Sequence, residues 1–213
     1  METIIESFGG VTMSAFEILS DRIGLLFIFV IVFIVSYLAA EIFYWNRKDQ
    51  AIAWVEKLDK ARKPLIRIIY NNMHKRYGML RAAAIIFLMN IVGGSFLWST
   101  SGGIFIVFPF LHYIIIAFLV NLALKIYPER RHWLVIPNTI FEVAAFMVAA
   151  LGSIHIGLSI LSRGDMSLAI YQWAVLFMIL VIPLQIIAAV FEGLLLYRIH
   201  IVSKHPWPYG ISE

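Results

Sequence analysis

Apolar residues run along this chain in five long blocks. Short polar stretches separate them, except for one longer polar insert after the first block. Ile23 to Ala40 is an apolar run broken only by Ser36, and it extends to Trp45. The second block is Ala82 to Trp98, the third Gly103 to Ile126, the fourth Leu134 to Leu161 and the fifth Leu168 to Tyr197. A helix needs about 20 mostly apolar residues to cross a hydrocarbon core ~30 Å thick at ~1.5 Å per residue. The blocks meet that length, and the last two exceed it. Pro137 and Pro183 lie inside those two, so tilt or a kink is expected there. Continuous runs, in place of ten-residue alternation, exclude a transmembrane β-barrel. The first block is too long for a cleaved signal peptide, and an acidic stretch precedes it.

The predicted fold is all-α and integral to the membrane. It is a five-transmembrane-helix bundle with a basic amphipathic cytoplasmic helical connector. Residues 1–22 form an outer segment, 23–45 the first span and 46–81 the connector. Residues 82–198 form a four-helix membrane domain, and 199–213 a cytoplasmic tail. Within the first 20 residues, Met13, Phe16, Ile18 and Leu19 suggest one apolar side of a short surface helix.

Composition agrees. Of 213 residues, 62% are hydrophobic and 14% charged, against roughly 45–50% and about 25% in soluble domains. A water-soluble fold of this size has nowhere to bury so much apolar surface, and disordered chains are poor in it. Cysteine is absent, which removes disulfides, thiolate metal sites and a cysteine nucleophile.

Charge orients the bundle. Residues 1–45 carry Glu2, Glu6, Glu17, Asp21 and Glu41 against Arg22 alone, a net of −4. Residues 46–81 carry ten Lys/Arg against Asp49, Glu56 and Asp59, a net of +7. The positive-inside rule then puts the connector and the C-terminus in the cytoplasm, and the N-terminus outside the plasma membrane. Arg130 and Arg131 fall inside in this arrangement, and the neutral Arg163/Asp165 turn falls outside. Trp45, Trp98, Trp133, Trp173 and Trp207 lie near span ends, where aromatic belts form. Trp54 is the exception.

Within the connector, Trp54, Leu58, Ala61, Leu65 and Ile68/Ile69 recur at helical spacing. Lys57, Lys60, Arg62, Lys63 and Arg67 fill the other faces. Pro64 is expected to break or kink the stretch into two helices. Three readings stay open: a hairpin packed under its own bundle, an element held by anionic lipid head groups, and a docking helix for a partner. Nucleic acid is not an expected partner.

Polar residues inside a membrane are costly and face the bundle interior. Glu142 lies ~12 Å and Glu192 ~9 Å from the cytoplasmic ends of their spans, at ~1.5 Å per residue. Asn90 and Asn121 fall in the same half, and Asn138 precedes Glu142 by four residues on one helix face. His112 and Gln185 lie nearer the midplane as possible contributors. Small residues accompany the acids: Ala145, Ala149 and Ser153 in the fourth span, Ala189 and Gly193 in the fifth. Such stripes let helices approach closely, which predicts a tight contact between the last two helices at the glutamates.

Two adjacent carboxylates in low dielectric cannot both stay charged without a partner. One reading is a hydrogen-bonded clamp, with a protonated Glu bonding to Asn or to backbone freed by the prolines. The others are a proton or ion site, and a metal held with His112, for which no ligand spacing speaks. His74, His132, His155, His200 and His205 read as interfacial, with His155 meeting water or Asp165. No G-x-S-x-G, H-E-x-x-H or G-x-x-x-x-G-K-[ST] pattern occurs, nothing assembles an activated nucleophile, and no inverted repeat is detectable. The expectation is a protein without catalytic residues, cofactor or metal.

At the fourth and fifth spans the chain resembles the stage II sporulation protein M (SpoIIM-like) family of polytopic membrane proteins. Pro137-Asn138-Thr139-Ile140-Phe141-Glu142 is similar to that family's Pro-His-Gly-x-x-Glu element, and small residues follow up to Gly152. Ala188-Ala189-Val190-Phe191-Glu192-Gly193 is similar to its Ala-Ala-x-x-Glu element. Asn90 and Gly93-Gly94 loosely match an Asn- and Gly-bearing span. The resemblance covers about residues 75–200. Asn138 and Thr139 stand where the family has His and Gly, so a role resting on that histidine does not carry over. The resemblance implies a helical, non-enzymatic membrane protein. The expected function is a scaffold or accessory subunit of a membrane protein complex, with a proton- or ion-coupled transporter or channel using the glutamates as the alternative. Expected partners are anionic lipid head groups and other integral membrane proteins or further copies of the chain.

Overall fold

The computed structural model describes Gly10, Met13, residues 16–128 and residues 132–203. Sequence expectations for Glu2, Glu6, Arg130, Arg131, His205 and Trp207, and for most of the outer segment and the tail, lie outside the described residues. Among the described residues there is no strand. Five helices are long and apolar enough to cross a membrane: Ile23–Asn46, Gly78–Ile104, Phe108–Ile126, Val135–Leu161 and Met166–Val202. A sixth helix, Lys48–Met73, connects the first span to the second.

The fourth span is the hub. In its most apolar window 61% of residues are buried, against 17% in the first span. Its main neighbours are the second and fifth spans, with a smaller contact to the first, and its Phe146 ring meets His112 of the third at 5.5 Å. The first span lies along the third, where Phe29 meets Phe110 and Tyr113 with ring centroids 4.8 Å away in both cases. Its Ser36 hydroxyl donates to Val32 O at 2.7 Å, which satisfies the one strongly polar side chain in mid-span. Residues 16–21 are helical, and Ile18 is buried against Leu151, Val175 and Leu176. Met13 and Phe16, expected on the same apolar side, are exposed.

Glycines and small residues set the close helix approaches. A Cβ on Gly94 would overlap the Phe146 ring, one on Gly103 would overlap Ser153, and one on Gly157 would strike the Ile104 carbonyl. All three contacts join the second span to the fourth. Ala145 and Ala149 do pack against the fifth span, at Phe177 and Val181. Ser153, Ala189 and Gly193 instead face the second span: Ser153 Oγ donates to Ser99 O at 3.0 Å, Ala189 packs with Ala82 and Ile86, and a Cβ on Gly193 would lie 3.0 Å from Ala83 Cβ. The small-residue stripes therefore serve three helices.

Several boundaries differ from the hydrophobic pattern. Pro64 does not divide the connector, which is one helix from Lys48 to Met73. Pro64 and Lys60 are both exposed, so the carbonyl that proline leaves without a donor opens outward and not into the core. Residues Ser99–Gly102, expected as a loop, remain helical. The stretch Asn90–Ser101 is π-helical, and Ser99 and Thr100 hydroxyls donate to Gly94 O and Ser95 O, each at 2.9 Å. These intrahelical bonds keep a polar stretch wound. The turn falls instead at 105–107, and the third span begins at Phe108 with Pro109 in its first turn, where a missing N–H costs nothing. Pro137 is likewise in the first turn of the fourth helix and not at a mid-span kink. The π-helical turn Phe177–Val181 ends two residues before Pro183, which falls in the first turn of the α-helix that begins at Ile182.

Gly157→Ala is expected to lower the thermal midpoint in detergent by the equivalent of about 1–3 kcal/mol, because a backbone carbonyl blocks the new methyl. Gly93→Ala, whose Cβ meets nothing within 4 Å, should leave the midpoint unchanged or raise it. Equal losses in both variants would contradict the packing described.

Candidate functional site

The connector helix lies across one end of the bundle. Its buried side carries Ala51, Val55, Asp59, Ile69, Tyr70 and Met73. Ala61 and Ile68, expected on the apolar face, are exposed, and Trp54 is half out. Leu58, Leu65 and Ile69 of the expected apolar face do turn inward and line the space beneath the helix, and Asp59 is the polar residue on the buried side. Tyr127 Oη, at the end of the third span, donates to Asp59 Oδ2 at 2.6 Å, and Asp59 is only 3% exposed. Trp54 anchors the near end by stacking on Phe43 at 5.0 Å, with Phe118 at 6.1 Å.

Beneath this roof is a cavity of about 620 Å³. The connector contributes Asp59 and Arg62, the second span Asn90, the fourth Asn138, Thr139 and Glu142, and the fifth Glu192 and His200. Apolar side chains of all these helices and of the third span complete the wall. Phe141 and Phe191, each the residue before a glutamate, stack at 6.0 Å with planes 4° from parallel. That stack fixes the register of the last two helices, so Glu142 and Glu192 open on the same space. Glu142 lies within electrostatic range of both Glu192 and Arg62.

Four of the five residues expected in the polar cluster, Glu142, Glu192, Asn138 and Asn90, thus come together. Asn121 does not line the cavity. It is buried beside Glu41 of the first span, where Glu41 accepts from Lys125 Nζ at 2.5 Å, Trp45 Nε1 at 2.9 Å and, weakly, Asn121 Nδ2 at 3.5 Å. Glu41 entered the sequence reading only as topological charge. The available signal was a carboxylate four residues before Trp45 in an apolar run, with a lysine near the end of another. Lys57, Lys60, Arg62, Lys63 and Arg67 are all exposed as expected, and Arg62 in addition lines the cavity.

His112 lies outside the cavity, with Trp98 at 5.8 Å, Phe146 at 5.5 Å and Ser99 Oγ at 3.5 Å. Gln185 Nε2 donates to Ser95 Oγ at 3.2 Å, tying the fifth span to the second. Among the described residues, no three His, Asp or Glu side chains come together as a metal-ligating group, so the metal reading with His112 has no geometric support. His155 meets Arg22 and Gln172 rather than Asp165. Its Nδ1 is 3.1 Å from Arg22 Nη2 and its Nε2 3.2 Å from Gln172 Oε1. A guanidinium only donates, so Nδ1 accepts and Nε2 carries the proton. Asp165 caps the fifth helix, accepting from Leu168 N at 3.0 Å.

The clamp expected between glutamate and asparagine is not made through Asn138 Oδ1 or Asn90 Nδ2. Both atoms are buried without a hydrogen-bond partner. An unsatisfied buried polar atom costs about 1–3 kcal/mol, and both belong to residues that line the cavity. Chemically the site gathers the carboxyl groups Glu142 and Glu192 and the Arg62 guanidinium around one space.

These features define a polytopic α-helical membrane protein with a cavity of mixed polar and apolar lining under an amphipathic helix. The family model for Stage II sporulation protein M matches residues 25–195, and the chain belongs to that family. The match takes in the first span and the connector, which the sequence resemblance had left out. No curated protein and no solved structure matches the chain.

Tyr127→Phe removes the donor to buried Asp59 and is expected to loosen the roof. Hydrogen exchange over residues 55–65 should speed up by the equivalent of about 1–3 kcal/mol, with the fourth span unaffected. Unchanged exchange there would show that the Asp59 contact does not hold the connector.

Proposed function

We propose that the protein is a non-enzymatic scaffold or accessory subunit of a membrane protein complex. One observation carries this reading: the connector is fixed to the bundle on one side and turns Lys57, Lys60, Lys63 and Arg67 outward on the other. A helix held by Asp59, Tyr127 and Trp54 presents those cations in a fixed orientation. Each is worth about 1 kcal/mol near an anionic leaflet, and together they also suit an acidic surface on a neighbouring subunit. The net of +7 in residues 46–81 supports a cytoplasmic connector and C-terminus with the N-terminus outside the plasma membrane. The missing catalytic motifs support a non-enzymatic role.

A second reading is favoured by the cavity itself. Paired carboxylates enclosed among spans suit proton- or ion-coupled transport. It predicts pH-dependent flux into liposomes that Glu142→Gln or Glu192→Gln abolishes.

Gentle extraction followed by mass spectrometry should recover a stoichiometric membrane partner or a further copy of the chain. Charge reversal at Lys60, Lys63 and Arg67 is expected to weaken that association, and a lone monomer with no partner would overturn the scaffold reading. Sidedness has a clean check because the chain has no cysteine. An impermeant maleimide should label Arg163→Cys in intact cells and reach Lys60→Cys only after lysis; the reverse pattern would invert the topology.

A further inference from the structure

A second cavity, of about 440 Å³, lies where the connector ends and the second span begins. His74, Lys75 and Tyr77 of the intervening turn form one wall, Leu80 of the second span another, and Tyr197 and Ile201 of the fifth span the third. It shares no lining residue with the cavity beneath the connector. The turn is closed tightly, since a Cβ on Gly78 would overlap the Met73 carbonyl. His74 packs its ring edge on Tyr70 at 4.6 Å, and the Arg76 guanidinium lies over the Tyr77 ring, 5.0 Å from its centroid. The basic residues of the turn are thus held beside the cavity that Tyr77 and Lys75 line.

Charge selects the ligand. No Asp or Glu occurs in residues 60–128, so the whole stretch around the turn is free of acid. Lys75, Arg76 and Arg81 are exposed, and among the described residues none of them has a carboxylate partner. Arg198, next to Tyr197, is a further exposed cation. The acid nearest to it in the fifth span is Glu192, which lines the other cavity. An anion entering here meets cations whose charge nothing internal has neutralised. Lysine and arginine are the side chains that bind phosphate oxygens, arginine with two parallel N–H donors. Basic pockets between the ends of membrane helices suit lipid head groups for this reason.

The apolar side of the cavity points to an anion that carries chains. Leu80 and Ile201 line it together with the cations. From Leu80 an exposed apolar face continues along the second span at four-residue steps through Ala84 and Leu88, one above the other on the helix. A free phosphate ion gains nothing from that face, whereas acyl chains do. We propose that this cavity holds the phosphate head group of an anionic glycerophospholipid, with its acyl chains along the exposed face of the second span. Lys75 and Arg76 donate to the phosphate oxygens, and Tyr77 and Tyr197 wall the head group. The site is separate from the outward cations Lys57, Lys60, Lys63 and Arg67, which meet a leaflet or a neighbour over a whole helix face. It goes beyond the scaffold reading and does not depend on it.

The test is native mass spectrometry of the full chain in zwitterionic detergent, titrated with phosphatidylglycerol or with phosphatidylcholine of the same acyl chains. The first phosphatidylglycerol adduct is expected to form about tenfold or more tightly than the first phosphatidylcholine adduct, as two cation contacts imply. Glycerol phosphate, the head-group chemistry without chains, should not displace it at equal concentration. Lys75→Ala combined with Arg76→Ala should remove the preference, with an unchanged thermal midpoint before lipid is added, because both side chains are exposed. Arg47→Ala combined with Lys48→Ala removes the same charge from the other end of the connector and should leave the preference intact. Equal affinity for the two lipids, a preference that survives the Lys75 and Arg76 changes, or equal losses in both double variants would overturn the site. Displacement by glycerol phosphate at equal concentration would overturn the assignment to a lipid. The comparison of the two lipids on the unaltered chain needs no variant to fold. Copurification of a partner protein is read separately, so either result leaves the other standing.

Discussion

A carboxylate inside a membrane must be enclosed by protein, because hydrocarbon offers it neither water nor a counter-ion. The arrangement of this chain follows from that constraint. Glu142 and Glu192 lie on the two helices that are joined by the Phe141 and Phe191 stack. The fourth span lies deepest, so its acid faces neighbours on several sides. The connector then closes the open end and brings Arg62 to the carboxylates. The first span meets the same constraint locally, since Glu41 is matched by Lys125 of its neighbour.

Helix packing in lipid has no hydrophobic driving force between helices, so close contact and hydrogen bonding must hold them. Here the second span supplies most of the close approaches. Gly94, Gly103 and the Ser99 carbonyl meet the fourth span, and Ala83 meets Gly193 of the fifth. The same span winds as a π-helix from Asn90, and its first π-helical residue lines the cavity. Wider turns of this kind leave backbone and side chains free to adopt unusual directions and are frequent at functional sites. Serine and threonine hydroxyls compensate for the altered backbone bonding. Tight packing near the far end and an open cavity near the connector are thus parts of one helix geometry.

The connector joins two physical environments. Its inward side is mostly apolar, with Asp59 held there by Tyr127 and Arg62 reaching the cavity from an exposed position. Trp54 and Ile68 are left exposed, which costs less at a membrane surface than in water, since aromatic and aliphatic side chains are accommodated at the interface. The outward lysines complete the amphipathic pattern with their heads in the aqueous layer.

Five spans, the basic insert and the two intramembrane glutamates were legible in the sequence, because hydropathy and charge act over whole segments and do not depend on which helices meet. The family was legible too, from the Pro-to-Glu and Ala-Ala-to-Glu elements that flank the acids. The amino-acid order did not determine the burial of Asp59 in the connector, the extension of the second span through a polar stretch, or the separation of Asn121 from Asn138. Each of these depends on a partner remote in sequence: Tyr127 for Asp59, the fourth span for Gly103, Glu41 for Asn121. Periodicity reports which face of a helix prefers apolar surroundings, but a single buried hydrogen bond to a charged group can outweigh it. Sequence therefore determined what crosses the membrane and which polar groups must be sheltered there. The tertiary structure alone decided which of them share a cavity, because that is set by the register between helices.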